Sequence, residues 1–147
     1  HWLDSHEIKA IKISYMTYVM KNYESLDSIT IRVGDSAKEN DELSMASNPK
    51  YWWLHVSGCP GSHVVICHEG EVVPKETKRD AAVLAVHHSK APPQKMTKVD
   101  FVRVDQIYKY VNTQHGQVLI EGDITKLTVF MNKEKPRLER LIKTRNK

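Results

Sequence analysis

One stretch constrains the fold of this chain more than any other. Residues 81–86 read Ala-Ala-Val-Leu-Ala-Val, and they follow Pro74 and six mostly charged positions. A segment opened by proline, charged in its first turns and apolar all round thereafter, reads as a helix running to about residue 89. Its second half has no face suited to water, so the helix must lie centrally, covered by other elements. The apolar run is far short of the roughly 20 residues that a membrane span needs. Pro92-Pro93 closes the region.

The covering elements are mainly strands. Ile29, Ile31 and Val33 alternate with Thr30 and Arg32, which predicts a half-buried strand. Residues 51–56 are aromatic and apolar and predict a strand buried on nearly both faces. Residues 62–67 follow across Ser57-Gly58-Cys59-Pro60-Gly61, a tight connection built from turn formers. Residues 99–104 predict another strand. Residues 117–121 and 126–131 read as a hairpin across Gly122-Asp123. Residues 15–22 are β-prone and predict a first strand, and the isoleucines at 8, 11 and 13 suggest a short helix before it. Residues 37–45 form a short helix that Asp35 or Ser36 can cap, with Glu39 placed for a capping box if Ser36 is the cap. Leu138, Leu141 and Ile142 stripe a basic helix that Pro136 opens.

The expected fold is therefore α+β, with a mixed, largely antiparallel sheet of about six strands, a buried central helix and a basic C-terminal helix. At 147 residues the chain is one domain. Residues 1–27 are a lead holding the first strand, 28–132 the core and 133–147 the basic helix. Met16 is a candidate start, and residues 1–15 lack the pattern of a signal peptide. Two cysteines, Cys59 and Cys67, are too few for a disulfide framework or a four-cysteine zinc site, so a reducing compartment is expected.

The formal charge of +4 is unevenly distributed. Residues 1–74 carry a net −4, residues 75–109 +4, residues 110–132 −1 and residues 133–147 +5. Localised basicity suits a polyanion better than evenly spread charge does, although a solvated lysine-rich surface has the same composition.

The chemistry-bearing residues cluster around the 57–61 turn. Alternation places Tyr51, Trp53 and His55 on one face of a strand and Trp52, Leu54 and Val56 on the other. The short connection then brings Ser62 and His63 near His55, beside the open backbone of Gly58 and Gly61. A packed hairpin whose glycines and proline serve only the turn is the plainer alternative. His63 and Cys67, with His55, Cys59 and His68 nearby, are metal-ligand types, but no spacing matches a zinc finger. Ser62 beside His63 suggests a hydrolase, yet it lies in no nucleophile elbow. A histidine pair can also cleave RNA. His87-His88 suit a helix C-terminus or could face the turn.

Several pieces together resemble one family. Val33-Gly34, then Ala37-Lys38-Glu39-Asn40-Asp41-Glu42-Leu43, then Trp53-Leu54-His55, then Pro60-Gly61-Ser62-His63-Val64-Val65-Ile66 match the NFACT RNA-binding domain in order and spacing. The helix ending before Lys90, the strand beginning Val99-Asp100 and Leu127-Thr128-Val129 before the basic helix fit as well. The resemblance covers residues 28–145 and looks most like the short standalone eukaryotic members.

The resemblance implies a non-catalytic, cytoplasmic module without cofactor or metal. It would bind tRNA or ribosomal RNA in ribosome quality control, with the large ribosomal subunit as a further partner. The residues it singles out are Asn40, Asp41, Trp53, His55, Gly61, Ser62 and His63, and Gly58 stands where many relatives have an acidic residue. Phosphates would meet Lys75, Lys78, Arg79, Lys90, Lys95 and Lys98, together with Arg137, Arg140 and Lys143 of the basic helix. The bacterial pattern has a Lys-Pro-Lys-Gly-like loop where residues 111–117 here hold no Lys or Arg. Two alternatives stand beside this reading. One is an RNA-processing or RNA-modifying enzyme using His55, Ser62 and His63; the other is a protein-interaction module acting through the C-terminal helix.

Overall fold

A computed structural model describes residues 3–8 and 20–146. The expectations for residues 9–19, including most of the first predicted strand and Met16, lie outside the described residues. Among those described, the strands are β1 (Lys21–Glu24), β2 (Thr30–Val33), β3 (Trp52–Val56), β4 (Val64–Ile66), β5 (Thr97–Arg103), β6 (Ile107–Tyr108), β7 (Leu119–Ile120) and β8 (Thr125–Val129). The helices are α1 (Ala37–Ala46), α2 (Lys75–His87) and α3 (Lys135–Ile142), with a helical turn at residues 5–8.

Six strands form one sheet in the order β1-β2-β4-β3-β5-β8, antiparallel at every pairing. The expected α+β class is what the chain adopts, with an antiparallel rather than a mixed sheet. The two-residue alternation sorts the strands into two buried faces. Ile31, Val33, Leu54, Val56, Val64, Ile66, Val99 and Phe101 pack under α2, whose Ala81–Ala85 stretch is fully covered, and Leu141 of α3 closes the same layer. Trp53, Val65, Val102, Val104 and Ile107 lie on the other face with Leu43 of α1. Burying a side chain such as Leu54 or Ile66 contributes roughly 1.5–3 kcal/mol, which makes the two-sided sheet the main source of stability.

Ser36 caps α1 by accepting from Glu39 N at 3.2 Å. The Glu39 carboxylate reaches back to Asp35 N at 3.0 Å rather than to the cap itself, a capping box shifted by one residue. The predicted hairpin across Gly122-Asp123 does not form. β7 pairs with β6 in a separate two-stranded sheet, while β8 pairs with β5. The amide of Gln106 explains the difference: it donates to Glu121 O and Asp123 O, both at 2.9 Å, and so holds the bend open between the two sheets.

Candidate nucleic-acid interface

The turn after β3 and the residues leading into β4 face the α1 side of the sheet, where side chains distant in sequence meet. Gly58 has φ +65°, a conformation that favours glycine, and Gly61 lies where a Cβ would come within 3.0 Å of Ser89. Gly61 bridges Ser89 at the end of α2, and Lys90 N donates to Pro60 O at 3.1 Å. The turn is therefore clamped to the C-terminal end of the buried helix.

Three rings form the floor. Trp53 and His55 stack at 5.7 Å and 17°, and His63 stands edge-on to both, at 5.1 Å from Trp53 and 5.3 Å from His55. Ser44 of α1 holds two of them. Its Oγ accepts from Trp53 Nε1 at 3.0 Å and lies 2.5 Å from His63 Nδ1. Asn40, one helical turn earlier, accepts from His63 N at 3.0 Å and donates to Gly61 O at 3.3 Å.

Burial, together with the neighbouring His55, pushes the His63 pKa down to about 3. Burial also lowers His55, against the pull of Asp100. Both rings are thus neutral at physiological pH and act through stacking and hydrogen bonding. His88 follows the same rule at about 4, lowered by burial and by His87. It bonds Tyr23 Oη at 2.8 Å.

A second loop makes the opposite wall. Asp41 receives Lys109 Nζ at 2.8 Å and Gly116 N at 3.1 Å, which fastens residues 109–116 to α1. Burial alone would raise the Asp41 pKa, but the bonds from Lys109 and Gly116 outweigh it and hold the carboxyl below its ordinary value. Between this loop and the 58–63 turn lies a cleft of about 550 Å³, lined by the three rings and by Asp35, Asn40, His88, Lys90, His115 and Gln117.

The predicted residues fall into distinct roles. Trp53, His55, Gly58, Gly61, Ser62 and His63 all line the cleft. Asn40 and Asp41 brace its walls through the bonds just described. Ser62 and His63 do not pair. The Ser62 hydroxyl faces His88 O at 3.3 Å and Asp35 Oδ1 at 3.5 Å, while His63 turns to Ser44. A serine nucleophile needs its base within hydrogen-bond reach, and this arrangement directs the two apart. Among the described residues no three His, Cys, Asp or Glu side chains converge as a metal site.

The predicted cations separate as well. Lys90 lines the cleft, and Lys98 lies at the same end of the sheet, because Ser57 N bonds Lys98 O. Lys95 is exposed in the segment between them. Lys75, Lys78 and Arg79 sit at the far end of α2, which spans 13 residues, about 20 Å. Arg137 and Arg140 both grip the fully buried Asp80, at 2.7 and 2.6 Å, and Arg137 also pairs with Glu76 and Glu134. These two guanidinium groups fasten α3 to α2. Leu141 is buried and Leu138 packs against the core, so most of the apolar stripe is used on the domain itself. Lys143 is exposed.

Sequence reasoning missed Ser44, Lys109 and the 115–118 wall. Ser44 stands four residues after Asn40 and so shares its helix face, a signal that was available. Nothing in local spacing ties Lys109 to Asp41.

This fold and this cleft define an α+β domain built around one aromatic–histidine recess, with the recess between two braced loops. The model of the NFACT protein RNA binding domain matches residues 15–126, and the chain belongs to that family. It is 31% identical over 109 residues to the Rqc2 homolog RqcH of Bacillus subtilis (strain 168) and 35% identical over 107 residues to that of Streptococcus suis (strain 05ZYH33). These alignments cover 73% and 71% of this chain but 19% of each relative, so the chain spans about a fifth of the length of the curated relatives it matches. The C-terminal part of the fibronectin/fibrinogen-binding protein from Streptococcus suis superposes with a TM-score of 0.74 at 29% identity, over 83% of this chain and 48% of that one. Among the described residues no helix is long and apolar enough to cross a membrane.

Proposed function

We propose that this domain binds RNA without catalysis, with tRNA or ribosomal RNA as its ligand, in cytoplasmic ribosome quality control at the large subunit. The observation that supports it best is the recess floor. Trp53 and His63 are buried and hold His55, the part-exposed ring that the recess offers, in a site whose histidines carry no charge. Such a site suits an unpaired base, which is held by stacking and by hydrogen bonds along its edge. Phosphates are attracted from outside the recess, by Lys90, Lys95 and Lys98. The family and the RqcH relatives supply the translational setting.

Fluorescence anisotropy with labelled tRNA across a salt series tests the reading. Affinity should fall steeply with salt, and Lys90→Gln and Lys98→Gln should each weaken binding and reduce the salt slope by about one. His55→Ala should weaken binding while leaving the slope unchanged. Absence of tRNA binding at low salt, or binding indifferent to salt, would show the proposal to be wrong.

A further inference from the structure

The opposite face of the sheet carries a second recess, independent of the RNA reading. It is a groove of about 750 Å³ between the first turns of α2 and strand β8. Its floor is apolar, formed by Val73, Leu127 and Phe130 among others, and Val72 stands 80% exposed at its mouth. Its rim carries four cations, Lys75, Lys78, Arg79 and Lys133. Lys133 lies 5.1 Å over Phe130 of the floor, and Lys78 5.2 Å over Phe101 of the core. Glu134, which also lines the groove, is paired with Arg137 at 3.1 Å, and the rim keeps four cations against this one carboxylate.

β8 is also one of the two outer strands of the six-stranded sheet and pairs only with β5 among the described residues. One side of the groove is therefore an open edge with main-chain donors and acceptors facing outward. An apolar trough, a cationic rim and an open strand edge together fit one kind of occupant. We propose that the groove takes an acidic polypeptide segment in extended form, added to β8 as a seventh strand. Alternate apolar side chains enter beneath α2, and carboxylates meet the cations. RNA satisfies the cations but has no strand to pair with the edge and nothing aliphatic for the trough. A second copy of this chain paired through β8 would bring its own cationic rim to the groove and not the carboxylates that the rim calls for.

The probe is a fluorescein-labelled nonapeptide of alternating Glu and Val, titrated into the full chain with amide shifts followed by NMR. Binding should shift β8 and the first turns of α2. A Lys-Val peptide of equal length should bind at least tenfold more weakly. So should a Glu-Val peptide with a central N-methylated valine, which cannot complete the strand pairing. The variant Lys75→Glu/Arg79→Glu changes two exposed side chains and should lose at least tenfold in peptide affinity while keeping the wild-type urea midpoint. Four outcomes overturn the proposal: no peptide binding, indifference to N-methylation, displacement of the peptide by oligouridylate, or dimerisation through β8 without peptide.

Discussion

Ser44 and His63 are joined by a 2.5 Å hydrogen bond between Oγ and Nδ1, buried where α1 crosses the sheet. Trp53 Nε1 can only donate, and it donates to the same Oγ. The same hydroxyl, with one proton and two acceptor lone pairs, also pairs with His63 Nδ1. One hydroxyl thus orders two of the three rings that floor the cleft.

Replacing Ser44 by alanine takes the hydrogen-bond partner from two buried rings at once. Each buried group left unsatisfied costs ~1–3 kcal/mol, so Ser44→Ala should lose about 3 kcal/mol in urea unfolding. The nitrogen chemical shifts of the His63 ring should also move, because Nδ1 loses its partner. A loss below about 0.5 kcal/mol with unchanged shifts would contradict the assigned role.

Much of this was legible in the sequence, for reasons that can be traced. The Ala81–Ala85 stretch had no polar face, so its central position followed from composition alone. The alternation of residues 51–56 sorted Trp53 and His55 from Trp52 and Leu54 correctly, because a strand has only two faces. The hairpin failed because residues 119–120 and 125–129 carry the right pattern for strands, while a distant amide, that of Gln106, decides their partners. Arg137 and Arg140 looked like phosphate ligands because charge is visible in a sequence, whereas the buried Asp80 that engages them, 57 and 60 residues away, is not.

Acid should destabilise the domain earlier than carboxylates alone would cause. His63 and His88 titrate at about 3 and about 4 in the folded chain, against about 6.5 when unfolded. The unfolded chain therefore binds more protons, and stability, fully present above about pH 6.5, falls as pH drops toward 4. Each ring contributes a slope of ~1.4 kcal/mol per pH unit. Asp35, held low by Lys21, and Asp41 continue the loss at lower pH. Urea midpoints measured from pH 7.5 to 4.5 should decline from about pH 6.5 downward. A flat profile to pH 5 would show that the two rings protonate in place.

Asp41 should act on the site more than on the fold. Its carboxylate holds Lys109 and Gly116, but it is part-exposed, so Asp41→Ala should cost only about 1 kcal/mol. The 109–118 loop should then exchange its amides faster, and tRNA affinity should drop several-fold at unchanged salt slope. Equal losses of stability and affinity would instead indicate general unfolding.

The cluster at Asp80 separates structure from binding. Asp80 is fully buried, accepts from Leu26 N at 2.9 Å and holds both Arg137 and Arg140. It thereby fastens the turn between β1 and β2, and also α3, to the central helix. Arg137 serves Asp80, Glu76 and Glu134 together, and its loss leaves Arg140 alone against three carboxylates, so Arg137→Met should cost about 3 kcal/mol. Arg140→Met should cost less, because Arg137 is the more buried of the two and also engages Glu76 and Glu134. Both variants should keep the wild-type salt slope for tRNA wherever they remain folded, since their charges are already engaged within the domain. A slope reduced by about one in folded Arg140→Met would move that side chain from the scaffold to the RNA.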